Sequence, residues 1–227
     1  RYNSCFIAEN GKKEMTFDQI KNLFVILNMM KIIIATKNRH KIEEIRQEWK
    51  GLGIELLSMA DYPDLPEVVE DGKTFHENSL KKAKEIFEFT GIPALADDSG
   101  LEVDYLHGAP GIYSARFSGM EADYKKNNLK LLSLLSGVPF EKRTARFRCV
   151  LTLYHPDFIK IAEGVVHGHI LDEMRGNLGF GYDPLFLPDG YEQSMAELSP
   201  DEKNKISHRG IAVRKMKTII ENLRNCK

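Results

Sequence analysis

The β-branched run Lys31-Ile32-Ile33-Ile34-Ala35 breaks off at Thr36-Lys37-Asn38, and a helical pattern starts immediately after it. A short, wholly apolar run of this kind reads as a strand covered on both faces, where branched side chains pack well on the pleat. Ile42, Ile45 and Trp49 then recur three and four residues apart, the stripe of a helix, until Gly51 stops it. A buried strand passed by a polar loop to a helix points to an α/β architecture.

The rest of the chain extends that pattern. Thr74-Phe75-His76-Glu77 has the spacing of a capping box and predicts a helix running to Gly91. Ala94-Leu95-Ala96 reads as a short buried strand leading into Asp97-Asp98-Ser99-Gly100, and Asp123 as the cap of a Leu-rich helix ending at Gly137. Ala145, Phe147, Cys149, Leu151 and Leu153 alternate with polar residues, and Pro156-Asp157 turns this strand back into Phe158 to Ile170. Ser199-Pro200-Asp201-Glu202 starts a short helix, and Ile211, Met216, Ile219, Ile220 and Leu223 mark a final one. Strand–helix alternation followed by a hairpin predicts an α/β domain on a mixed sheet.

Composition narrows the functional classes. Lys+Arg 32 against Asp+Glu 33 gives a net charge of -1, so no overall field draws the chain to nucleic acid or an acidic membrane, and any anion site is local. No apolar stretch approaches the roughly 20 residues of a membrane helix. Three widely spaced cysteines, without a C-x-x-C pair, fit neither a disulfide framework nor a thiolate zinc site and suit a reducing cytoplasm. The chain opens on Arg1, and a change of character near Met29-Met30 divides it into an appendage of unknown role, residues 1–29, and a domain, residues 30–227. Within the appendage Thr16 is placed to cap a short helix, and the segment reads as a fragment or read-through.

Four segments carry residues suited to chemistry. Thr36 to Lys41 joins a strand end to a helix start, where free N–H groups, the helix dipole, Lys37 and Lys41 favour a phosphate; the plainer alternative is that Asn38 only caps the helix. Asp97 and Asp98 end an apolar strand. If the backbone is extended there, they face opposite sides and have different tasks, one of them suited to Mg²⁺ with Glu70 as a second oxygen ligand; the alternative is a simple turn. The glycine-rich stretch Gly176 to Pro184 brings Phe180 or Tyr182 to a flat ring, or tucks both into the core. Lys203 and Ser207-His208-Arg209 either donate hydrogen bonds to an oxygen or phosphate or form a solvated cap. His167 and His169 share a strand face but lack a third ligand nearby, and read as surface residues.

Together these segments resemble the Ham1/RdgB family of inosine/xanthosine triphosphate pyrophosphatases. The resemblance runs from Met30 to about Leu223 and rests on A-T-K-N-R-H-K from Ala35, E-D-G-K-T-F-H-E-N-S from Glu70, A-D-D-S-G-L from Ala96, G-A-P-G-I-Y-S-A-R-F from Gly108, G-F-G-Y-D-P from Gly179 and S-H-R from Ser207. It implies a mixed twisted sheet flanked by helices, two lobes with a substrate cleft between them, and hydrolysis of ITP, dITP or XTP to the monophosphate and pyrophosphate. It also implies a cytoplasmic homodimer with at least one Mg²⁺ per subunit, acting on a small nucleotide and on neither nucleic acid nor membrane.

Carried over by position, Thr36, Lys37, Asn38, Arg39, His40, Lys41, Lys82 and Lys203 hold the triphosphate, and Glu70 and Asp98 bind metal. Asp98 is the proton acceptor and Ser99 a substrate contact, while Phe180, Gly181, Tyr182, Asp183, His208 and Arg209 enclose the base. Donors from His208 and Arg209 at C6 would favour a 6-oxo purine over adenine. Lys37 stands where relatives often have a small residue, and the first 29 residues have no counterpart in the family's usual module. A non-catalytic nucleotide- or RNA-binding module would use the lysines but leave Glu70, Asp97 and Asp98 without a purpose.

Overall fold

A computed structural model describes residues 31–65, 68–119 and 123–225. The appendage and its Thr16-capped helix lie outside the described residues. The Ile run is strand β1 (Lys31–Ile34), followed by helix α1 (Arg39–Glu48), β2 (Glu55–Ser58), α2 (Phe75–Thr90) and β3 (Ala94–Val103). After α3 (Tyr124–Leu134) come β4 (Thr144–His155), β5 (Phe158–Ile170), β6 (Phe186–Pro188), α4 (Pro200–Ile206) and α5 (His208–Asn225). The strands form one sheet in the order β2-β1-β3-β4-β5-β6. β1 is parallel to β2 and β3, and the other pairings are antiparallel, so the sheet is mixed as expected.

Period-two alternation sorts the core onto the two faces. Ile32, Ile34, Leu95, Leu151 and Leu153 pack under α1 and α5 with Val213, Met216 and Ile220, whereas Ile33, Ala35, Ala94 and Ala96 pack under α2 with Ala83 and Ile86. Trp49 ties α1 to α5 by donating its indole N–H to the Val213 carbonyl at 3.1 Å. A third cluster, around Leu101, Phe147, Leu131, Tyr182 and Phe186, forms a second lobe where β3, β4 and β5 run beyond β1. The cleft lies between the lobes.

The strand after Ile92-Pro93 is longer than its apolar residues suggest. β3 does not end at Ala96 but continues through Asp97-Asp98-Ser99-Gly100 to Val103. The turn-forming composition is overridden because β4 supplies a continuous ladder, pairing Asp97 with Leu151 and Asp98 with Val150. Other details shift less. Thr74 accepts from the Glu77 N–H, but the Glu77 carboxylate caps the Lys73 N–H instead of completing the box on Thr74. The Leu-rich helix stops at Leu134, before Gly137.

One close approach fixes α5 on the sheet. A Cβ at Gly164 of β5 would lie 2.0 Å from the His208 carbonyl oxygen, so only glycine lets the first turn of α5 rest on the strand. That contact sets the position of His208 and Arg209.

Candidate active site

Asn38 is the helix cap: its Oδ1 accepts from the N–H of His40 at 3.0 Å and of Lys41 at 3.4 Å. Capping does not exhaust the loop. Asn38 and Lys41 line the cleft between the lobes, whereas Thr36, Lys37 and Arg39 line a separate cavity on the other side of the same turn. His40 stacks on Phe180, ring centroids 5.0 Å apart, and so links α1 to the glycine-rich loop.

Because β3 is extended, the two acids part as its alternation requires. Asp97 turns toward α1 and α5. It accepts from Lys41 Nζ at 2.5 Å, from Arg209 Nε at 2.7 Å and from the Ser99 hydroxyl at 2.9 Å. Burial opposes ionisation of Asp97, but Arg209 and Lys41 outweigh it and hold the carboxyl well below the usual range. Arg209 is 2% exposed and also donates to Glu44 at 2.7 Å and to Ser99 Oγ at 2.8 Å. Glu44 is lowered as well: burial raises it, and Arg209 and Lys203 together overcome that.

Asp98 turns the other way, toward α2. Its carboxyl is pushed up to about 6, chiefly by burial, with Glu70 adding repulsion and Lys82 pulling against both. Its Oδ2 is buried and has no hydrogen-bond partner. Lys82 Nζ forms an ion pair with Glu70 and donates to the Asp97 carbonyl at 3.0 Å, so it spans the loop carrying Glu70 and the strand carrying the acids. An orphaned carboxylate oxygen beside a second carboxylate is an all-oxygen, hard donor set, which fits Mg²⁺, an ion that takes one or two carboxylates and completes its shell with water and phosphate. Among the described residues no group of three or more His, Cys, Asp or Glu is gathered for a metal.

The glycine-rich loop closes the cleft. Gly179 has φ +73°, and a Cβ there would meet the Asp183 carboxylate at 2.2 Å. Asp183 accepts from the Phe180 N–H at 2.8 Å and from Lys203 Nζ at 2.7 Å, and burial pushes its carboxyl up despite Lys203. Lys203 Nζ sits 4.6 Å and Arg209 Cζ 5.5 Å from the Phe180 ring centroid. Tyr182 is different: it is buried in the second lobe, its hydroxyl donating to the Ser114 carbonyl at 2.9 Å, and forms part of the cleft wall from there, whereas the Phe180 ring lies against Lys203 and Arg209. Gly181 holds the Asn128 side chain through its carbonyl at 3.0 Å.

His208 and Arg209 differ from the paired donors read from the sequence. Burial, then Arg209 and Lys203, hold the His208 imidazole well below its ordinary value, so it is neutral near pH 7 and carries one donor and one acceptor. Its ring stacks on Phe147 at 4.7 Å, and its Nδ1 is buried without a partner. Arg209 has three of its N–H groups engaged by Asp97, Glu44 and Ser99. His167 is exposed and His169 is paired with Asp189 at 3.4 Å, away from the cleft.

Several residues of the site escaped the sequence reading. Glu44 lies three positions after Lys41, on the same helix face, and that spacing was the one available signal. Asn78 is fully buried, accepts from the Gly72 N–H at 2.8 Å and faces Asp98 from α2. Cys149 donates its thiol to Asp97 Oδ2 at 3.3 Å, a cross-sheet contact with no local signature.

A sequence model of the Ham1 family matches residues 32–219. A dITP/XTP pyrophosphatase from Desulforamulus reducens is 52% identical over 195 residues, covering 86% of this chain and 97% of the relative. One from Geobacter sulfurreducens is 53% identical over 190 residues, 83% of this chain and 96% of the relative. Among solved structures, a HAM1 protein from Coxiella burnetii aligns with a TM-score of 0.79 at 38% identity, covering 86% of this chain and 100% of that one.

Proposed function

The chain belongs to the Ham1 family, and from that membership we propose that it hydrolyses dITP, ITP and XTP to the nucleoside monophosphate and pyrophosphate. The observation that carries this reading is the division of labour on β3. Asp97 is locked in a buried ionic network that holds the cleft together, while Asp98, one residue on, keeps an unpaired oxygen beside Glu70 and Lys82.

Lys41, Lys82 and Lys203, with the positive N-terminal end of α1, supply positive charge to the phosphate chain. Charge aimed at developing negative charge in a water-poor site lowers the barrier without reorganisation. Asp98 and Glu70 would hold Mg²⁺, which when bound offsets charge on the phosphate oxygens. The Asp98 carboxylate orients a water and takes its proton as the oxygen attacks the α-phosphorus. The bond from that phosphorus to the bridging oxygen breaks, and pyrophosphate leaves with the electron pair. Ser99 contacts the substrate at the centre of the cleft.

At the other end Phe180 stacks on the purine, with Gly181 and Asp183 shaping the wall. His208, one donor and one acceptor, pairs with the base edge, while Arg209 retains N–H groups beyond those given to Asp97, Glu44 and Ser99. A 6-amino purine mismatches these donors and leaves them unpaired. We place the enzyme in the cytoplasm as a homodimer. The buried free thiol of Cys149 supports a reducing compartment, and size-exclusion chromatography with light scattering checks the dimer. No helix among the described residues is long and apolar enough to cross a membrane.

The test is product identification. Purified protein with Mg²⁺ and ITP should release pyrophosphate and IMP, and the reaction should stop on chelation. Release of orthophosphate and IDP would refute the reading.

A further inference from the structure

On the far side of the Thr36–Arg39 turn lies a cavity of about 560 Å³, walled by α1 and by the segment following β2. The geometry points to a second anion site there, one that takes a small ligand bearing a diphosphate group. The cavity is distinct from the cleft, which is reached by Asn38 and Lys41 and not by Lys37 or Arg39.

Charge compensation separates the two cavities. The cations of the cleft are each held by acids within the protein, Lys41 by Asp97, Lys203 by Asp183, and Arg209 by Asp97 and Glu44, and Lys82 on the other face of β3 is held by Glu70. In the outer cavity the side chains of Lys37, Arg39 and Arg46 make no hydrogen bond or ion pair with any described residue. Among the described residues Glu43 is the one carboxylate on the wall. It lies four residues after Arg39 and three before Arg46, spacings at which helical ion pairs ordinarily form, and yet it pairs with neither. The wall therefore keeps a net positive charge unmet by the fold.

Position and chemistry suit the same ligand. Arg39 and Arg46 are two helical turns, about 10 Å, apart on one face of α1, a separation from which two long side chains can each reach one phosphate of a diphosphate. Lys37 and the hydroxyls of Thr36 and Tyr62 add polar groups at the rim, and Ile42, Met59 and Leu65 give an apolar floor. A cavity of this size that combines an apolar patch with several charged groups is a form that small-ligand sites take. Free pyrophosphate and the diphosphate portion of a nucleotide share the recognised chemistry, and the apolar floor is what distinguishes them.

Calorimetric titration of the whole chain with inorganic pyrophosphate, and separately with ADP, tests the site in wild type and in Arg46→Glu. Arg46 is exposed and has no bond to lose, so the variant should fold and turn over ITP as the wild type does. We expect two pyrophosphate sites per chain in the wild type, one of them weakened about tenfold or more in Arg46→Glu and largely restored in Arg46→Lys. Arg46-dependent ADP binding tighter than that of pyrophosphate would identify a nucleotide as the occupant, and equal affinities would identify the diphosphate alone. A single pyrophosphate site, equally tight in wild type and Arg46→Glu, with ADP binding also unchanged, would overturn the inference. Turnover of ITP is read separately, so loss of the outer site and failure of the hydrolytic reading are distinguishable.

Discussion

Replacing Arg209 by Met should destabilise the fold strongly, and more so near neutrality than in acid. The guanidinium sits in a buried network, with Asp97 at 2.7 Å, Glu44 at 2.7 Å and Ser99 at 2.8 Å, and Asp97 is 1% exposed. Removing one partner of a buried pair leaves the other charge without its counter-ion, at a cost of about 3–5 kcal/mol. Here each orphaned acid keeps a second cation, Lys41 for Asp97 and Lys203 for Glu44, so the lower end, about 3 kcal/mol, is expected. With a urea slope of roughly 2 kcal/mol per molar, the unfolding midpoint falls by about 1.5 M.

The pH dependence gives a second handle. In the wild type Asp97 is depressed by Arg209 and Lys41, so its contribution is complete above the ordinary carboxylate range and is lost only when pH falls through the depressed value. In Arg209→Met burial dominates and the carboxyl rises, so protonation on acidification relieves the misplaced charge. The difference in midpoint should therefore narrow between about pH 7 and about pH 4, measured by urea unfolding of both proteins at each pH. A shift below about 0.5 M near neutrality, or one that stays constant into acid, would refute this assignment of the network.

Other outcomes follow from the same geometry. Asp98→Asn should remove most turnover while circular dichroism and thermal unfolding remain close to wild type. Protons compete with metal at Asp98, whose carboxyl sits at about 6 when metal-free, so Mg²⁺ affinity measured by calorimetry should fall as pH drops through that value and level off above it. Phe180→Ala should raise KM for ITP about tenfold or more through lost stacking. Tyr182→Phe should instead cost about 1 kcal/mol of stability and leave KM nearly unchanged. Gly164→Ala should lower stability by about 2 kcal/mol or more, because its Cβ would collide with the His208 backbone, and should impair turnover through the displaced start of α5.

The elements legible in the sequence were those whose signal is local. The Ile run, the Asn38 cap, the β4–β5 hairpin around Pro156-Asp157 and the Ser199 capping box each announce themselves within a dozen residues, and the structure has them where the pattern put them. The extension of β3 was hidden because Asp-Asp-Ser-Gly has turn composition, and its strand partner stands some fifty residues downstream in β4, with Asp97 opposite Leu151. The opposite facing of Asp97 and Asp98 was legible, since it follows from alternation once the backbone is extended. The Asp97–Arg209–Glu44 network was not: its members come from β3, α5 and α1, and no spacing along the chain links them. Tyr182 and Phe180 both line the cleft and look alike in sequence, and only the packing of the second lobe shows that Tyr182 is also part of the buried core.

The most direct measurement is hydrolysis of ITP in ¹⁸O-labelled water, followed by mass spectrometry of both products. Attack at the α-phosphorus, with Asp98 taking the proton, puts the label in IMP and leaves pyrophosphate unlabelled. Label in pyrophosphate with unlabelled IMP would place the attack on the β-phosphorus and contradict the proposed geometry of the site.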